Sequence, residues 1–495
     1  YVPDLARWTL DKKYKWGVPS GLLCQRWGTS RRDAFQLVDD ALNARTPVVY
    51  DEIRDGGDTR RVINRMETVA AQAKLFEIKT EFEKWVWEDE EQAALLAKIY
   101  NERFNCFRPR RYDGSHLTLP GLNTDITLRQ CQMDAVWRIL QSPATLMAHE
   151  VGMGKTLACL GAVMEAKRLG LSRKAMVVVP NHLTAQWRDQ ALWAYPNANI
   201  LCAGSDDLSR ARRGEFLSRI ATGEWDLVIV PMSSFKLLPV GSEILKEFFQ
   251  REIDRLENHL WEIKKEGNKS QVRAIKEIEK ALKRYRARLD EQNNMSKDSE
   301  ETITFDGLGV DFLIVDEHHN YKNLYFHTQM TRIAGLPNAD SQRAFDMFVK
   351  IRWLLENGGR VVGATGTPVT NTLAEVYTMQ RFFQMERLEE LEIAHFDAWA
   401  KMFALAEPGL EMTPDGAGFR MNTRFRKFVN LPELLKLWQE FADTQMIDDA
   451  SGIERPDLYG NEPVKVVLPG SQELRDYVLS LAARAERVRS GSVAP

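Results

Sequence analysis

No stretch of this 495-residue chain approaches the roughly twenty consecutive apolar residues that a membrane-spanning helix requires. The N-terminus also lacks the basic, apolar and small-residue regions of a secretory leader. Cysteine is scarce: Cys24, Cys106, Cys131, Cys159 and Cys202 form no C-x-x-C pair. Neither a zinc ribbon nor a disulfide framework is indicated, and reduced, packed thiols are expected. Charge of one sign is lacking as well, because 67 Lys and Arg against 70 Asp and Glu leave a net charge of -3. That balance excludes a uniformly basic nucleic-acid coat and leaves any nucleic-acid contact to local patches. No internal repeat or low-complexity tract is present. What remains, 44% hydrophobic and 28% charged residues, describes a cytoplasmic globular chain with no membrane partner and, by length, roughly two to four domains. The first residue is Tyr1 rather than Met, and ERVRSGSVAP closes the chain without an evident final element, so a segment of a larger protein is expected.

Against these absences stand three phosphate-handling elements in order: HEVGMGKT at His149 to Thr156, DEHH at Asp316 to His319, and ATGTPVTN at Ala364 to Asn371. A phosphate-binding loop needs a strand, a tight turn and a helix whose N-terminal N–H groups favour anions. Here an apolar run precedes the turn and an apolar-rich stretch, Leu157 to Leu169, follows it. Gly152, Met153 and Gly154 would bring backbone N–H groups to phosphate, Lys155 supplies the cation, and Thr156 a hydroxyl facing magnesium. His149 departs from the strict pattern, which has glycine there. DEHH follows the run FLIV, as expected of a strand end where Asp316 holds magnesium and Glu317 positions or deprotonates water. A surface turn after a strand is the plain alternative. His318 and His319 could suggest zinc, but adjacent residues rarely reach one ion, so they are read as relaying nucleotide state to nearby loops. Gln132 precedes the loop by about one helix and a strand, a place for an amide that reads adenine; otherwise it faces solvent.

Around these motifs the chain divides into three regions. Residues 1–123 read as a helical accessory region and linker: Glu67 to Asn101 is an amphipathic helix around Trp85 and Trp87, and Phe107 to Asn123 is a Pro/Gly-punctuated loop. The tryptophans are expected to pack helices rather than to stack on bases. Residues 124–390 read as an α/β lobe with strands at Thr145 to Ala148, Met176 to Val179, Leu227 to Val230, Phe312 to Val315 and Val361 to Ala364. Short apolar runs separated by helices imply a parallel sheet with ligands at the strands' carboxyl ends. Within it, about 241–300, Phe249, Ile253, Leu256, Leu260 and Ile263, then Ile275, Ile278, Leu282, Tyr285 and Leu289, step by threes and fours around a Gly267-Asn268 turn. An inserted antiparallel helical hairpin is expected. Its basic residues, Lys264, Lys265, Lys280, Lys283, Arg284, Arg286 and Arg288, are either solvated faces or contacts to DNA or a partner. After Asn371 the lobe turns helical over Leu373 to Glu390. Residues 391–495 read as a helical connector: a helix around Phe396 to Leu405, a loop at Glu407 to Phe419, a strand at Val464 to Pro469 and a helix at Gln472 to Arg489. The last two would begin a second lobe.

LRQCQ, HEVGMGKT, VVVPNHLTAQW, DEHH and ATGTPVTN together resemble the Q-motif and motifs I, Ia, II and III of superfamily-two helicases. TGTP followed by Asn371 places the resemblance nearest the Swi/Snf-like DNA translocases. It covers about Thr127 to Gln380. Further segments, IYNERFNCFRPRRYDGSHLTLPG, SRIATGEWDLVIV, VDEHHNYKNL, HFDAWA and RAERVRSG, look like large bacterial and phage or mobile-element proteins that fuse an N6-adenine DNA methyltransferase to such a helicase. This chain has no NPPY or NPPF methylase motif.

The resemblance implies a RecA-like P-loop lobe that uses ATP and Mg2+. By position, Lys155 and Thr156 would meet the β/γ-phosphates and magnesium, Asp316 would hold the metal, Glu317 would activate water, and Gln132 would recognise adenine. Pro180, Asn181 and His182 would lie near the DNA backbone, and Thr365, Gly366, Thr367 and Asn371 would couple hydrolysis to movement. His149 stands where Swi/Snf-like relatives usually carry Asp, and His318 where DEAH has Ala. Motifs IV to VI and the arginine finger belong to a second RecA-like lobe in this superfamily, so this chain is expected to bind ATP and hydrolyse it poorly alone. Implied partners are double-stranded DNA, a second lobe and a methyltransferase domain. Alternatives are a strand-separating helicase, a restriction-type translocase, or a nucleotide-gated DNA-binding module; a DNA-modification or anti-restriction role belongs to the larger protein.

Overall fold

The computed structural model describes residues 17–266, 279–290, 303–447 and 464–489 with Trp8 and Leu10, apart from positions 56–57, 106–107, 205–206, 208, 210–211, 280–281, 327, 329, 331–332, 335, 337–340 and 413–418. The N-terminal region is helical but also holds an antiparallel hairpin, Tyr50–Asp55 with Asp58–Ile63. Its small core joins Leu37, Val49, Ala71 and Leu75. The single helix expected over Glu67 to Asn101 is two, Arg65–Trp85 and Glu90–Tyr100. Asp89 starts the second by accepting from the N–H groups of Glu91 and Gln92, satisfying donors that a helix start leaves unpaired. This break corrects the reading of the tryptophans. Trp85 ends one helix and Trp87 lies in the turn, and they are 52% and 63% exposed rather than packed.

Residues 108–123 form neither helix nor strand, but they are no spacer. Leu119 is buried in the core of the following lobe. The Gly114 N–H donates to Asp134 Oδ1 at 2.8 Å, and a Cβ at Gly114 would lie 2.1 Å from the Met133 carbonyl oxygen.

The lobe is built on seven parallel strands: β1 (Ala144–His149), β2 (Ala175–Val179), β3 (Ile200–Cys202), β4 (Leu227–Pro231), β5 (Phe312–Asp316), β6 (Arg360–Ala364) and β7 (Ala442–Gln445). Their order across the sheet is β7-β1-β6-β5-β2-β4-β3. Strand side chains alternate between faces, and both faces are dry. Leu146, Met176, Val178, Val228, Leu313 and Val315 enter one core, while Met147, Val177, Val179, Ile229, Ile314 and Val362 enter the other. Each of the five strands expected from the sequence is present within one residue of its expected bounds at either end. β3 and β7 extend the two edges.

Helix Ser242–Glu266 and a helix over 282–290 lie side by side as the inserted hairpin. Phe249 stacks on Phe345 with ring centroids 5.8 Å apart and meets Tyr285 at 6.2 Å. The turn at Gly267-Asn268, together with Ile275, Ile278 and Lys280, lies outside the described residues, as do the side chains of Leu256, Leu260, Ile263, Lys264 and Lys265. The basic residues of the second helix are not a uniform solvated face. Arg286 pairs with Glu257, and Arg284 and Arg288 lie over the rings of Tyr325 and Phe345 at 4.0 and 5.2 Å.

Two C-terminal expectations are corrected. The supposed loop at Glu407 to Phe419 is largely strand, Ala404–Met412 paired antiparallel with Phe419–Phe428. Pro408 is tolerated because its strand is an edge of that sheet, where no neighbour needs its missing N–H. Conversely, Val464 to Pro469 is not a strand. It has no regular structure, and Val464, Val466, Val467 and Leu468 are exposed. The helix Gln472–Arg489 is present. Among the described residues no helix is long and apolar enough to cross a membrane.

The packing of Gly114 gives a direct test. Gly114→Ala should destabilise the chain by about 1–3 kcal/mol through overpacking, seen as a lower urea midpoint at unchanged slope. An unmoved midpoint would make residues 108–123 a spacer.

Candidate functional site

Three strands bring the motifs together by register. Met147 of β1 pairs with Ala364 of β6, and Ala364 pairs with Asp316 of β5. The turns after these strands therefore leave the sheet at one level: the phosphate loop, the DEHH turn and the TGTP turn. The Thr365 N–H still bonds to Met147 O at 3.0 Å.

In the phosphate loop Gly152 and Gly154 have φ of +92° and +76°, values that L side chains rarely adopt and that turn successive N–H groups inward. Gly154 caps the helix Lys155–Arg168, so Lys155 and Thr156 stand in its first turn. The Lys155 ammonium donates to the carbonyls of His149 and Glu150 at 3.0 and 3.3 Å. Met153 is 1% exposed, which leaves only its backbone for a ligand. Gln132 is buried against the loop. Its Nε2 donates to Gly154 O at 3.0 Å, and its Oε1 accepts from the Arg129 N–H at 2.8 Å. Both ends of this amide are thus already bonded to backbone, with one N–H and one lone pair left over.

The two carboxylates are tuned in opposite directions. Asp316 is 7% exposed, and burial pushes its carboxyl above the usual range. The indole N–H of Trp187 at 2.9 Å, the Glu317 N–H and the Lys155 charge pull the other way. Glu317, whose φ is +49°, projects into a half-open position. A hydrogen bond from His319 at 3.1 Å, aided by the charges of His319 and Lys155, holds it below the usual range despite partial burial.

The two histidines have different roles. His319 Nδ1 also lies 2.9 Å from Thr365 Oγ1, and that hydroxyl in turn accepts from the Thr367 N–H at 3.1 Å. One imidazole therefore joins the DEHH turn to the TGTP turn. His318 is fully buried between Phe382 and Phe383, burial pushes it down to about 3, and neither ring nitrogen has a partner. It is a neutral packing group, and of the two histidines only His319 bonds to the TGTP turn.

Beside the phosphate loop opens a cleft of about 760 Å³. Pro180, Asn181 and His182 line it together with Val151, Glu317, His319, Gly366 and Thr367. Sequence reasoning missed Met232, Ser233, Lys236 and Arg343, which also line it. For the first three the signal was available: Met232 to Lys236 follow β4 directly, at the same carboxyl edge as the motifs. The Ser233 N–H bonds to Asn181 Oδ1 at 3.2 Å, and Arg343 donates to the Asn320 carbonyl at 2.8 Å. Asn371 is outside this lining. Its N–H and that of Thr370 bond to the Glu375 carboxylate, which Lys322 pairs at 3.0 Å. That clamp fixes the end of the TGTP turn.

The donors fit a nucleotide carried with magnesium: inward N–H groups at a helix N-terminus, an ammonium, a hydroxyl and a buried carboxylate. Among the described residues no cluster of three or more His, Cys, Asp or Glu side chains could hold an ion by itself.

The chain is similar to several known proteins. A family model described as a probable helicase domain matches residues 137–446, and one described as a domain of unknown function matches residues 1–106. The Defense against restriction protein B of Escherichia phage P1 is 24% identical over 363 residues. The match takes in 66% of this chain, which spans 16% of that relative's length. A solved SWI2/SNF2 ATPase core from Sulfolobus solfataricus in complex with dsDNA is 13% identical at a TM-score of 0.36, covering 68% of this chain and 48% of that one.

The Glu317–His319 contact has a defined pH signature. A carboxyl held below its unfolded value adds stability above that value, and the contribution is lost as pH falls through the folded pKa. In His319→Ala the Glu317 carboxyl should titrate closer to the ordinary 4.5, read by 13C NMR of labelled glutamate. A titration indifferent to the substitution would contradict the assigned contact.

Proposed function

The chain belongs to the probable helicase domain family, and from that premise we propose that it is the ATP-binding lobe of a double-stranded DNA translocase. The observation that carries this reading is the His319 bridge, which ties the carboxylate placed to act on water to the turn that lines the cleft. A motor needs such a link, because hydrolysis that moves nothing it touches does no work.

In this reading the N–H groups of Gly152 to Thr156 cradle phosphate, and Lys155 exchanges two carbonyls for phosphate oxygens. Thr156 and Asp316 would hold a magnesium ion, whose charge would offset that building on the transferred phosphoryl group. Glu317, held below the usual range and so ionised at neutral pH, orients the attacking water and accepts its proton. His319 then carries the change at Glu317 to Thr365 and Thr367. Gln132 fixes the loop through Gly154 and offers its remaining donor and acceptor to adenine. Pro180, Asn181 and His182, with Lys236 and Arg343, present the polar and cationic wall for a DNA backbone; Asn371 steadies the coupling turn. Hydrolysis needs a second RecA-like lobe to supply an arginine finger, so the lobe alone turns over slowly. The phage relative's name supports an anti-restriction setting. We place that setting in the cytoplasm and, on the resemblance of the sequence, in a larger protein that also carries a DNA-modifying methyltransferase domain.

ATP hydrolysis by the full chain should be weak, should rise with blunt duplex DNA, and should fall at least about 100-fold in Glu317→Gln. Lys155→Ala should lose nucleotide binding. Stimulation by single strands but not duplex would make it a strand-separating helicase, and hydrolysis indifferent to both would remove the motor reading.

A further inference from the structure

Beyond the motifs, the end of the lobe is fastened to the phosphate loop. β7 pairs in parallel with β1, Gln445 opposite His149. His149 is fully buried, and its Nε2 meets Asp443 Oδ2 at 2.7 Å. Arg138 lies 3.9 Å from the other carboxylate oxygen and donates to the Gln439 carbonyl at 2.6 Å, which steadies the same segment. Burial alone would raise the Asp443 carboxyl, but His149 and Arg138 outweigh it and hold the group below the usual range, so it is ionised at neutral pH. Glu150 is fastened twice. Its N–H bonds to Gln445 O at 3.0 Å, and its carboxylate accepts from the Ile447 N–H at 2.7 Å.

These grips fall on the residues that matter most to the loop. His149 and Glu150 supply the two carbonyls on which Lys155 rests. β7 and the residues just after it therefore set the position of the cradle that the ammonium must leave to reach phosphate. The carboxylate that meets His149 comes from Asp443, 294 residues along the chain.

We propose that Asp443 is a positioning residue for the phosphate loop, acting through His149, and that with the Glu150–Ile447 contact it links nucleotide binding to the seating of residues 442–447. The proposal rests on the nucleotide-site reading above. Linkage is reciprocal, so bound nucleotide must alter the hold on 442–447 as much as that hold alters nucleotide affinity. The chain beyond Ile447 would then sense whether the loop is filled through a route separate from the His319 bridge.

The test uses the full chain with a fluorescent ATP analogue and magnesium, comparing wild type, Asp443→Asn, Glu150→Ala and Lys155→Ala. Asp443→Asn should weaken binding about tenfold and raise KM for ATP more than it lowers kcat, a split that a general loss of folding would not produce. Because that variant could also perturb β7, a second measurement stays on the wild-type sequence. Amide hydrogen exchange across 442–447 should change when the analogue binds, and Lys155→Ala should show no change. Unaltered affinity in Asp443→Asn, or exchange at 442–447 indifferent to bound analogue, would overturn the proposal. No binding by wild type at all would instead overturn the nucleotide-site reading, and the proposal with it.

Discussion

The registration of β6 between β1 and β5 is the constraint on which the site depends. Met147, Ala364 and Asp316 stand in one row of the sheet. A parallel strand that slipped by one residue would send Asp316 to the opposite face and lift the TGTP turn away from the phosphate loop. Two dry faces prevent that slip, because it would move Leu313 and Val315 out of one core and Phe312 and Ile314 out of the other. Packing thus fixes chemistry: the apolar residues of the strands decide where the polar residues at their ends meet. Gly363 shows how tight the fit is, since a Cβ there would come within 2.5 Å of Phe383 and 3.1 Å of the His318 ring.

On that frame the polar groups divide by environment. Adjacent residues Asp316 and Glu317 have their acidities pushed apart, one by burial and the other by His319. In the proposed function such separation would give two like groups different duties, a metal ligand shielded from water and a base open to it. The neighbouring histidines divide likewise. His318 is packing, whereas His319 joins Glu317 to Thr365. The loop is held from two sides, by Gln132 through Gly154 and by β7 through His149 and Glu150. Phosphate loop, cleft and exit strand consequently share one short piece of backbone.

The sequence carried the centre of this arrangement better than its edges. Apolar runs bounded by helices marked the five inner strands, and motif order identified the residues at their ends. β3 and β7 were not legible, because Ile-Leu-Cys is too short and Ala-Asp-Thr-Gln too polar to stand out; each exists by pairing with a neighbour on one side only. The strands around Pro408 and Gly409 read as loop because local propensity hid a pairing made across the chain. Val464 to Leu468 erred the other way: local propensity favours a strand there, but the segment pairs with no other strand. Of the site, the motif residues were legible. Lys236 could have been placed by its position just after β4, whereas Trp187 on Asp316, Arg343 in the cleft and Asp443 on His149 could not, since each depends on contact between distant segments.

The most direct test of the central claim is a structure of the chain with a non-hydrolysable ATP analogue and magnesium. The account predicts phosphates against the N–H groups of Gly152 to Thr156, Lys155 moved from the His149 and Glu150 carbonyls onto phosphate oxygen, and the metal between Thr156 and Asp316. Analogue bound away from this loop, or Lys155 still resting on those carbonyls with phosphate bound, would contradict it.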